Sequence, residues 1–521
     1  MISYKRLKIF VIFWLFSLLF VEIFLFRLQI AEIFLSPTKA NILKERGIIY
    51  DRWGRELVYN VKRKSLAINP SNISMEEKNK IAERLSKDLD IPKSIILDKL
   101  NTKTSFVWIK RILSPSEVNR IQDLISENKI FFKEEPYRTY PLSLATSPLL
   151  GLAGVDNQGL YGLEAVLDSW LKDGKNVYLT IDKDLQSICA NYLKDGIERF
   201  DAKGGSIGII DVGSGEILAF AIMPDFDIKE SLSDLVKKLQ DNYPLNAVFE
   251  PGSVFKIMTT IIALEENLVD PNEEINCEGK EEINGHIIQC TKKHGRVNLE
   301  KAIVESCNIY FYKLSQKISA DLWYKYLRLF NLDAPLQGDL IINPKDFLIP
   351  NLKESDFTRG TIGFGQGIAF SPIKLLWSFS SIANDGWLNQ LHWIKRIEDS
   401  TGNVIFENSP VRLLQVISPK TSKKVLEYLV KVVKEGTANN LKLEGYKVAG
   451  KTGTAQVSGK NGYKEGAYNH FFLGYLFLPE KTYAIIIMLQ EPKKGNYARE
   501  TVVPIFGEIV KRLAIYGRMR E

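Results

Sequence analysis

The sequence predicts an α+β protein: an antiparallel sheet flanked by helices, an N-terminal accessory domain of mixed structure, and one transmembrane helix ahead of both. Three features carry that expectation. Residues 9–30 are almost wholly apolar, strand-like segments lie at both ends of residues 176–521 with helical segments between them, and residues 31–175 are rich in charge and poor in long apolar runs. A chain of 521 residues is also too long for one hydrophobic core, which calls for two or three domains.

The run Ile9–Ile30 holds 22 residues, about 33 Å of helix at about 1.5 Å per residue, enough to span a bilayer. Glu22 and Arg27 are its only charges. Arg27 can snorkel to the interface, and Glu22 is a candidate contact with a partner helix. Lys5, Arg6 and Lys8 precede the run, so residues 1–8 are expected in the cytoplasm and everything after Ile30 outside it. A cleaved signal peptide is the alternative. The run is longer than such a segment usually is, and Ser36-Pro37-Thr38 makes a poor cleavage site, which favours a retained anchor.

Residues 31–175 contain short strand candidates such as Phe106-Val107-Trp108-Ile109 and close on the turn-rich Lys172-Asp173-Gly174-Lys175-Asn176, the expected domain boundary. Val177–Asp182 then alternates like a strand. Gly205–Val212 and Gly215–Met223 flank Gly213-Ser214-Gly215 as a hairpin. Lys447–Val457, Phe471–Leu478 and Thr482–Leu489 supply three more strands, so a sheet built from both ends encloses the helices between. Among these, Ser253–Leu268 is apolar around most of its circumference, the pattern of a buried helix.

Composition excludes several function classes. Apolar residues at 45% and charged residues at 25% are those of a folded protein without long disorder. The net charge of +7 is a small difference between 69 cations and 62 anions spread along the chain, so no nucleic-acid-binding stripe is expected. Cys189, Cys277, Cys290 and Cys307 are too few for a disulfide scaffold and lack paired CxxC spacing. His286, His294, His392 and His470 show no ligand spacing either, so no metal is expected. Cys277 and Cys290 are open to either reading, a disulfide or two free thiols, and Cys307 reads as a small buried side chain. Gly363-Phe364-Gly365-Gln366-Gly367 lacks the Gly-Lys-Ser/Thr of a phosphate loop and reads as structural.

The chemistry is expected at Ser253. Lys256 lies three residues on, on the same helical face, and a serine hydroxyl attacks only when a neighbouring base takes its proton. A lysine serves as that base when neutral, which requires burial or a second cation to lower its pKa by about 3 units. Pro251 and Gly252 suit a tight turn into a helix N-terminus, whose free N–H groups can face an oxyanion. Ser-x-x-Lys alone selects nothing, because it recurs at Ser36/Lys39, Ser126/Lys129, Ser169/Lys172 and Ser371/Lys374. Two companions distinguish Ser253. Ser306-Cys307-Asn308 follows the amphipathic stretch Val297–Glu305 and offers a second hydroxyl and an amide. Lys451-Thr452-Gly453-Thr454 lies on a strand, where Lys451 supplies charge, Gly453 admits close backbone approach, and the Thr454 N–H can complete an oxyanion hole.

Taken together, Ser253-x-x-Lys256, Ser306-x-Asn308 and Lys451-Thr452-Gly453 resemble the penicillin-binding protein and serine β-lactamase superfamily, with cysteine at the centre of the middle element in place of aspartate. Arg46-Gly47-Ile48-Ile49-Tyr50-Asp51-Arg52-Trp53-Gly54-Arg55-Glu56-Leu57 resembles the opening, and Gly159-Leu160-Tyr161-Gly162-Leu163-Glu164 the end, of the pedestal of class B penicillin-binding proteins. Phe106–Arg111 and Val155–Gly159 look more like the division-type branch than the elongation-type. Leu142-Ser143-Leu144 departs from the pattern, standing where a glycine is common.

The resemblance implies a pedestal (dimerisation) domain over 31–175 and a transpeptidase domain over 176–521. It implies a peptidoglycan D,D-transpeptidase working without metal or organic cofactor. Ser253 would be the nucleophile, Lys256 its base, Ser306 a proton relay and Asn308 a substrate-amide ligand. Lys451, Thr452 and Thr454 would hold the substrate carboxylate beside Gly453. Implied partners are peptidoglycan stem peptides, β-lactam antibiotics, membrane lipid, a membrane-embedded glycan-strand polymerase, and divisome or elongasome proteins. Implied location is the cytoplasmic membrane, single-pass, with the catalytic domain on its outer face. Rival readings are a carboxypeptidase or β-lactamase that resolves the acyl-enzyme with water, and a non-catalytic scaffold or β-lactam sensor.

Overall fold

The computed structural model describes residues 45–521 except 127, 142–147, 225–246, 284, 341–345, 442, 460–461 and 520–521. The expected anchor, Ile9–Ile30, lies outside the described residues, and among those described no helix is long and apolar enough to cross a membrane.

The accessory region is organised by one long strand. β1 (Ile49–Tyr50) leads into β2 (Glu56–Ile68), which pairs antiparallel with β4 (Ile130–Thr139) from Tyr59 to Ile68 and, at its end, with β3 (Val107–Lys110) on the other side. Helices Met75–Leu89 and Lys93–Leu100 lie close in sequence, and their apolar positions Leu85, Leu89, Ile96 and Leu100 close a small core with Leu66, Ile68 and Ile109. Met75–Leu89 begins where its sequence says it should: Ser74 and Glu77 exchange the two bonds of a capping box.

β1 also pairs in parallel with β5 (Asn176–Leu179), and β5 pairs with Ile394–Glu398, which pairs with Val404–Glu407. One sheet therefore runs across the turn at Lys172–Asn176. The pedestal's two sequence signatures meet in a buried ion cluster: Arg46 Nη2 stands 2.6 Å from Glu164, both side chains wholly buried, with Arg138 at 2.7 Å from the other Glu164 oxygen and Asp168 at 2.7 Å from Arg46 Nη1. Burying charges this deeply is tolerable only because each finds a partner.

Beyond β5 come α1 (Lys183–Phe200), β6 (Gly204–Asp211), β7 (Ile217–Met223), α2 (Lys256–Glu265), α3 (Asn308–Gln316) and α4 (Pro372–Ser380). The chain ends with α5 (Pro419–Lys434), β8 (Lys447–Gly459), β9 (Gly462–Phe477), β10 (Thr482–Gln490) and α6 (Ala498–Met519). The sheet order is β8-β9-β10-β6-β7, antiparallel throughout, so strands from both ends of the region share one sheet as the pattern predicts. Tyr475, Ile485, Ile486 and Ile487 are wholly buried because helices cover both faces. α1 and α6 pack on one face and α4 on the other. Glycine permits that proximity: a Cβ on Gly474 would fall 2.6 Å from Phe506 of α6, and one on Gly208 would fall 2.8 Å from Leu376 of α4.

β8 is an edge strand, and the serine helix lies near it. That helix is shorter and tighter at its start than the apolar run suggests. Gly252–Phe255 is a 3₁₀ turn and only Lys256–Glu265 is α-helical. Gly252 enters with φ +52°, and the Val254 N–H bonds Pro251 O at 3.3 Å, an i→i+3 closure that winds the first turn as 3₁₀.

Candidate active site

In a 3₁₀ turn residues i and i+3 eclipse, so Ser253 and Lys256 share one side more closely than α-geometry would give. Ser253 is half-buried at the mouth of this turn. Lys256 is wholly buried on a helix whose residues through Ala263 are all buried. Its ammonium meets three oxygens: Ser306 O at 2.7 Å, Ser306 Oγ at 3.0 Å and Asn308 Oδ1 at 2.7 Å. Ser306 Oγ also receives Lys451 Nζ at 3.0 Å, and Lys451 Nζ reaches Thr452 O at 3.2 Å. The helix, the loop before α3 and the edge strand β8 therefore converge on one serine hydroxyl. The Ser253 side chain makes no hydrogen bond to another described residue.

Ser306 holds this place in a left-handed backbone, φ +62°, which a non-glycine residue adopts only when its surroundings impose it. That conformation ends the turn after helix Leu299–Val304 and turns the Ser306 carbonyl toward Lys256.

Two buried lysines and no carboxylate make the electrostatics unusual. Among the described residues neither Lys256 nor Lys451 has an ion-pair partner, whereas Lys374 of the decoy pair Ser371/Lys374 sits 3.0 Å from Asp346, and Ser371 merely caps α4. Burial pulls the Lys256 ammonium down to about 8. Burial, and then the charge of Lys256, pulls Lys451 well below the ordinary lysine value. Neutral lysine is thereby accessible near physiological pH.

The turn bearing Ser253 is braced from two sides. Gly453 approaches so closely that a Cβ there would lie 2.7 Å from Pro251 O. From the other side comes the Gly363–Gly367 loop, read from sequence as structural. Gly252 N–H bonds Gly365 O at 3.1 Å, and a Cβ on Gly365, φ +85°, would fall 2.0 Å from Gly252 O. Thr454 Oγ1 is occupied by the Ala498 N–H at 3.3 Å.

Residues 205–511 match the penicillin binding protein transpeptidase domain, and residues 41–184 match the penicillin-binding protein dimerisation domain. The chain belongs to the class B penicillin-binding proteins. Stage V sporulation protein D of Bacillus subtilis is 29% identical over 503 residues, covering 90% of this chain and 77% of the relative. Peptidoglycan D,D-transpeptidase FtsI of Escherichia coli K12 is 27% identical over 498 residues, covering 89% and 82%. The fold of penicillin binding protein 3 from Mycobacterium tuberculosis, solved with aztreonam, superposes with a TM-score of 0.70 at 23% identity, covering 91% of this chain and 96% of that one.

Three features of this penicillin-binding protein's site escape the motifs. Thr437 Oγ1 lies 2.7 Å from Thr452 Oγ1, and nothing in the sequence ties the loop after α5 to β8. Glu250, just before the serine turn, accepts from the Gly367 N–H and from the Tyr463 hydroxyl, both at 3.1 Å. Burial raises its carboxyl pKa. The third is a cluster of sulfur and imidazole: Cys277, Cys290, His294 and Cys307 are all buried, with their ligand atoms within 4.8 Å of one another. The expectation that these cysteines and histidines lack ligand spacing does not survive folding, because a strand pair and a helix start bring together residues that no CxxC motif marks. The four cysteines are free thiols.

Proposed function

We propose that this class B penicillin-binding protein is a peptidoglycan D,D-transpeptidase acting through a Ser253 acyl-enzyme, in wall synthesis at division, on the outer face of the cytoplasmic membrane. The observation that carries the reading is the meeting of two buried, carboxylate-free lysines on Ser306 Oγ, one from the nucleophile's own helix and one from the edge strand. The names of the Escherichia coli relative and of the penicillin-binding structures supply the substrate class.

In this reading the carboxylate of a D-Ala-D-Ala stem peptide binds beside Lys451, Thr452 and Thr454. A negative charge there favours the ammonium form of Lys451, and repulsion from that ammonium favours the neutral form of Lys256. Neutral Lys256 takes the Ser253 proton as Oγ bonds the penultimate D-Ala carbonyl carbon, while the Ser253 and Thr454 N–H groups receive the oxyanion. The C–N bond then breaks. The leaving nitrogen takes a proton through Ser306, and D-Ala departs as the free amino acid. An amine from a neighbouring stem attacks the ester, Ser253 recovers its proton, and a cross-link results. Asn308 holds both Lys256 and the substrate amide. The segment Ile9–Ile30 would anchor the chain beside the polymerase that supplies glycan strands.

Labelling with a fluorescent penicillin tests the nucleophile: the native chain becomes covalently fluorescent and Ser253→Ala stays dark. Labelling of Ser253→Ala at the native rate would sink the assignment. Rapid release of hydrolysed β-lactam, or conversion of stem peptide to D-Ala and acid without cross-link, would replace transpeptidation with hydrolysis. Normal wall cross-linking in cells carrying Ser253→Ala would point to a scaffold.

A further inference from the structure

The cysteine at the centre of Ser306-Cys307-Asn308 has no part in the chemistry above, yet it belongs to an ordered group. Cys277 ends the strand Ile275–Cys277, Cys290 follows the strand His286–Gln289, His294 precedes the strand Gly295–Val297, and Cys307 caps α3. Pairing of Ile275–Cys277 with Gly295–Val297 brings the first and third ligands together. The spacing is Cys-x12-Cys-x3-His-x12-Cys.

Three of the six ligand–ligand distances are those of a coordination shell, and the others lie within 4.8 Å. Cys277 Sγ to Cys290 Sγ is 3.8 Å, Cys290 Sγ to Cys307 Sγ is 3.8 Å, and Cys277 Sγ to His294 Nδ1 is 3.4 Å. A tetrahedron with metal–sulfur bonds of about 2.3 Å and a metal–nitrogen bond of about 2.0 Å has sulfur–sulfur edges of about 3.8 Å and sulfur–nitrogen edges of about 3.5 Å. Neighbouring donors turn to the sulfurs as they do around bound thiolates: the Asn308 N–H points to Cys290 Sγ at 3.2 Å and the Tyr310 N–H to Cys307 Sγ at 3.5 Å. Three thiolates and one imidazole, closed to solvent, are a soft donor set that suits zinc and disfavours magnesium or calcium.

We propose that Cys277, Cys290, His294 and Cys307 bind one zinc ion in a closed tetrahedral site that positions the Ser306–Asn308 turn. Cys307 is covalently joined to both residues that hold Lys256, and Asn308 bonds a second ligand through its backbone. The metal thus ties the catalytic turn, with Ser306 in its left-handed backbone, to the strand pairs around Cys277 and Cys290. Its role is positioning, since no ligand touches the reacting atoms.

The test uses the full chain, purified with detergent and reductant and without chelator. Elemental analysis is expected to find about one zinc per chain, and growth with cobalt to give the visible spectrum of a tetrahedral thiolate complex. Chelator treatment should lower the melting temperature and slow penicillin acylation at least tenfold, and zinc, but not magnesium, should restore both. Cys277→Ser and His294→Ala should lose the metal. Ser253→Ala should keep it while losing all labelling, so the metal site stands or falls apart from the transpeptidase reading. A chain without zinc and without the cobalt spectrum would overturn the site, as would a Cys277–Cys290 or Cys290–Cys307 disulfide in protein alkylated directly from cells. Zinc removed with melting and acylation unchanged would overturn the positioning role.

Discussion

Lys451 and Ser306, 145 residues apart in the chain, meet at 3.0 Å, Nζ to Oγ, and Lys256 reaches the same oxygen at 3.0 Å. Removing that oxygen deprives both lysines of a shared acceptor. Ser306→Ala is expected to slow penicillin acylation by about 10²- to 10⁴-fold, the usual scale of a lost proton-transfer group. Ser306→Val should in addition lower the melting temperature, because a β-branched side chain resists φ +62°. An Ala variant that acylates at the native rate would remove Ser306 from the relay.

The Lys256 pKa of about 8 sets a pH profile. The acylation rate constant should climb about tenfold per pH unit below that value and level off above it, as the neutral base becomes the main form. Stability follows with a definite sign. Between about 8 and 10.5 the unfolded lysine keeps its proton and the folded one has lost it, so stability rises with pH across that window, by about 3 kcal/mol in all. Below about 8 both states are protonated and the burial cost is constant. Denaturant titrations at pH 8 and pH 10 should show the rise in the native chain and a smaller one in Lys256→Met, where the buried Lys451 still contributes.

Gly365→Ala tests the brace behind the nucleophile. Its Cβ would lie 2.0 Å from Gly252 O at a backbone φ of +85°, so the serine turn must shift. The expected loss of stability is about 1–3 kcal/mol, read by thermal melting. Acylation should fall at least tenfold at temperatures where the variant is fully folded. Native acylation would mean that the loop does not hold the turn.

The pedestal cluster gives the contrasting case. Arg46→Ala leaves Glu164 buried with Arg138 as its remaining cation among the described residues, and breaking a buried pair typically costs about 3–5 kcal/mol. Unfolding by denaturant should shift accordingly. Ser253 should still label at low temperature, since the cluster lies outside the lysine network. Loss of labelling in folded Arg46→Ala would couple pedestal to site.

Much of this was legible in the sequence because period and motif are local. The apolar run Thr482–Leu489 and the glycine turn at 213–215 specify β10 and the β6–β7 hairpin, and Ser253, Lys256, Ser306 and Lys451 are marked by neighbours within four residues. What could not be read depends on which distant segments meet. The partner of Thr452 is Thr437, supplied by the turn after α5. Ser306's left-handed backbone is imposed by packing and not by its own residue type. The four-ligand cluster forms only when the strand pair Ile275–Cys277 and Gly295–Val297 closes beside Cys307.

The pairing of β6 with β10, Gly208 opposite Ile486, has a consequence for the protein's birth. A ribosome releases Ser253 long before Lys451, and the central strand of the sheet appears after both. Until it does, Lys256 is wet, carries its full charge and cannot act as a base. A nascent chain that has not yet reached that strand is therefore expected to stay silent toward β-lactams, and labelling is expected to begin only once the strand is made.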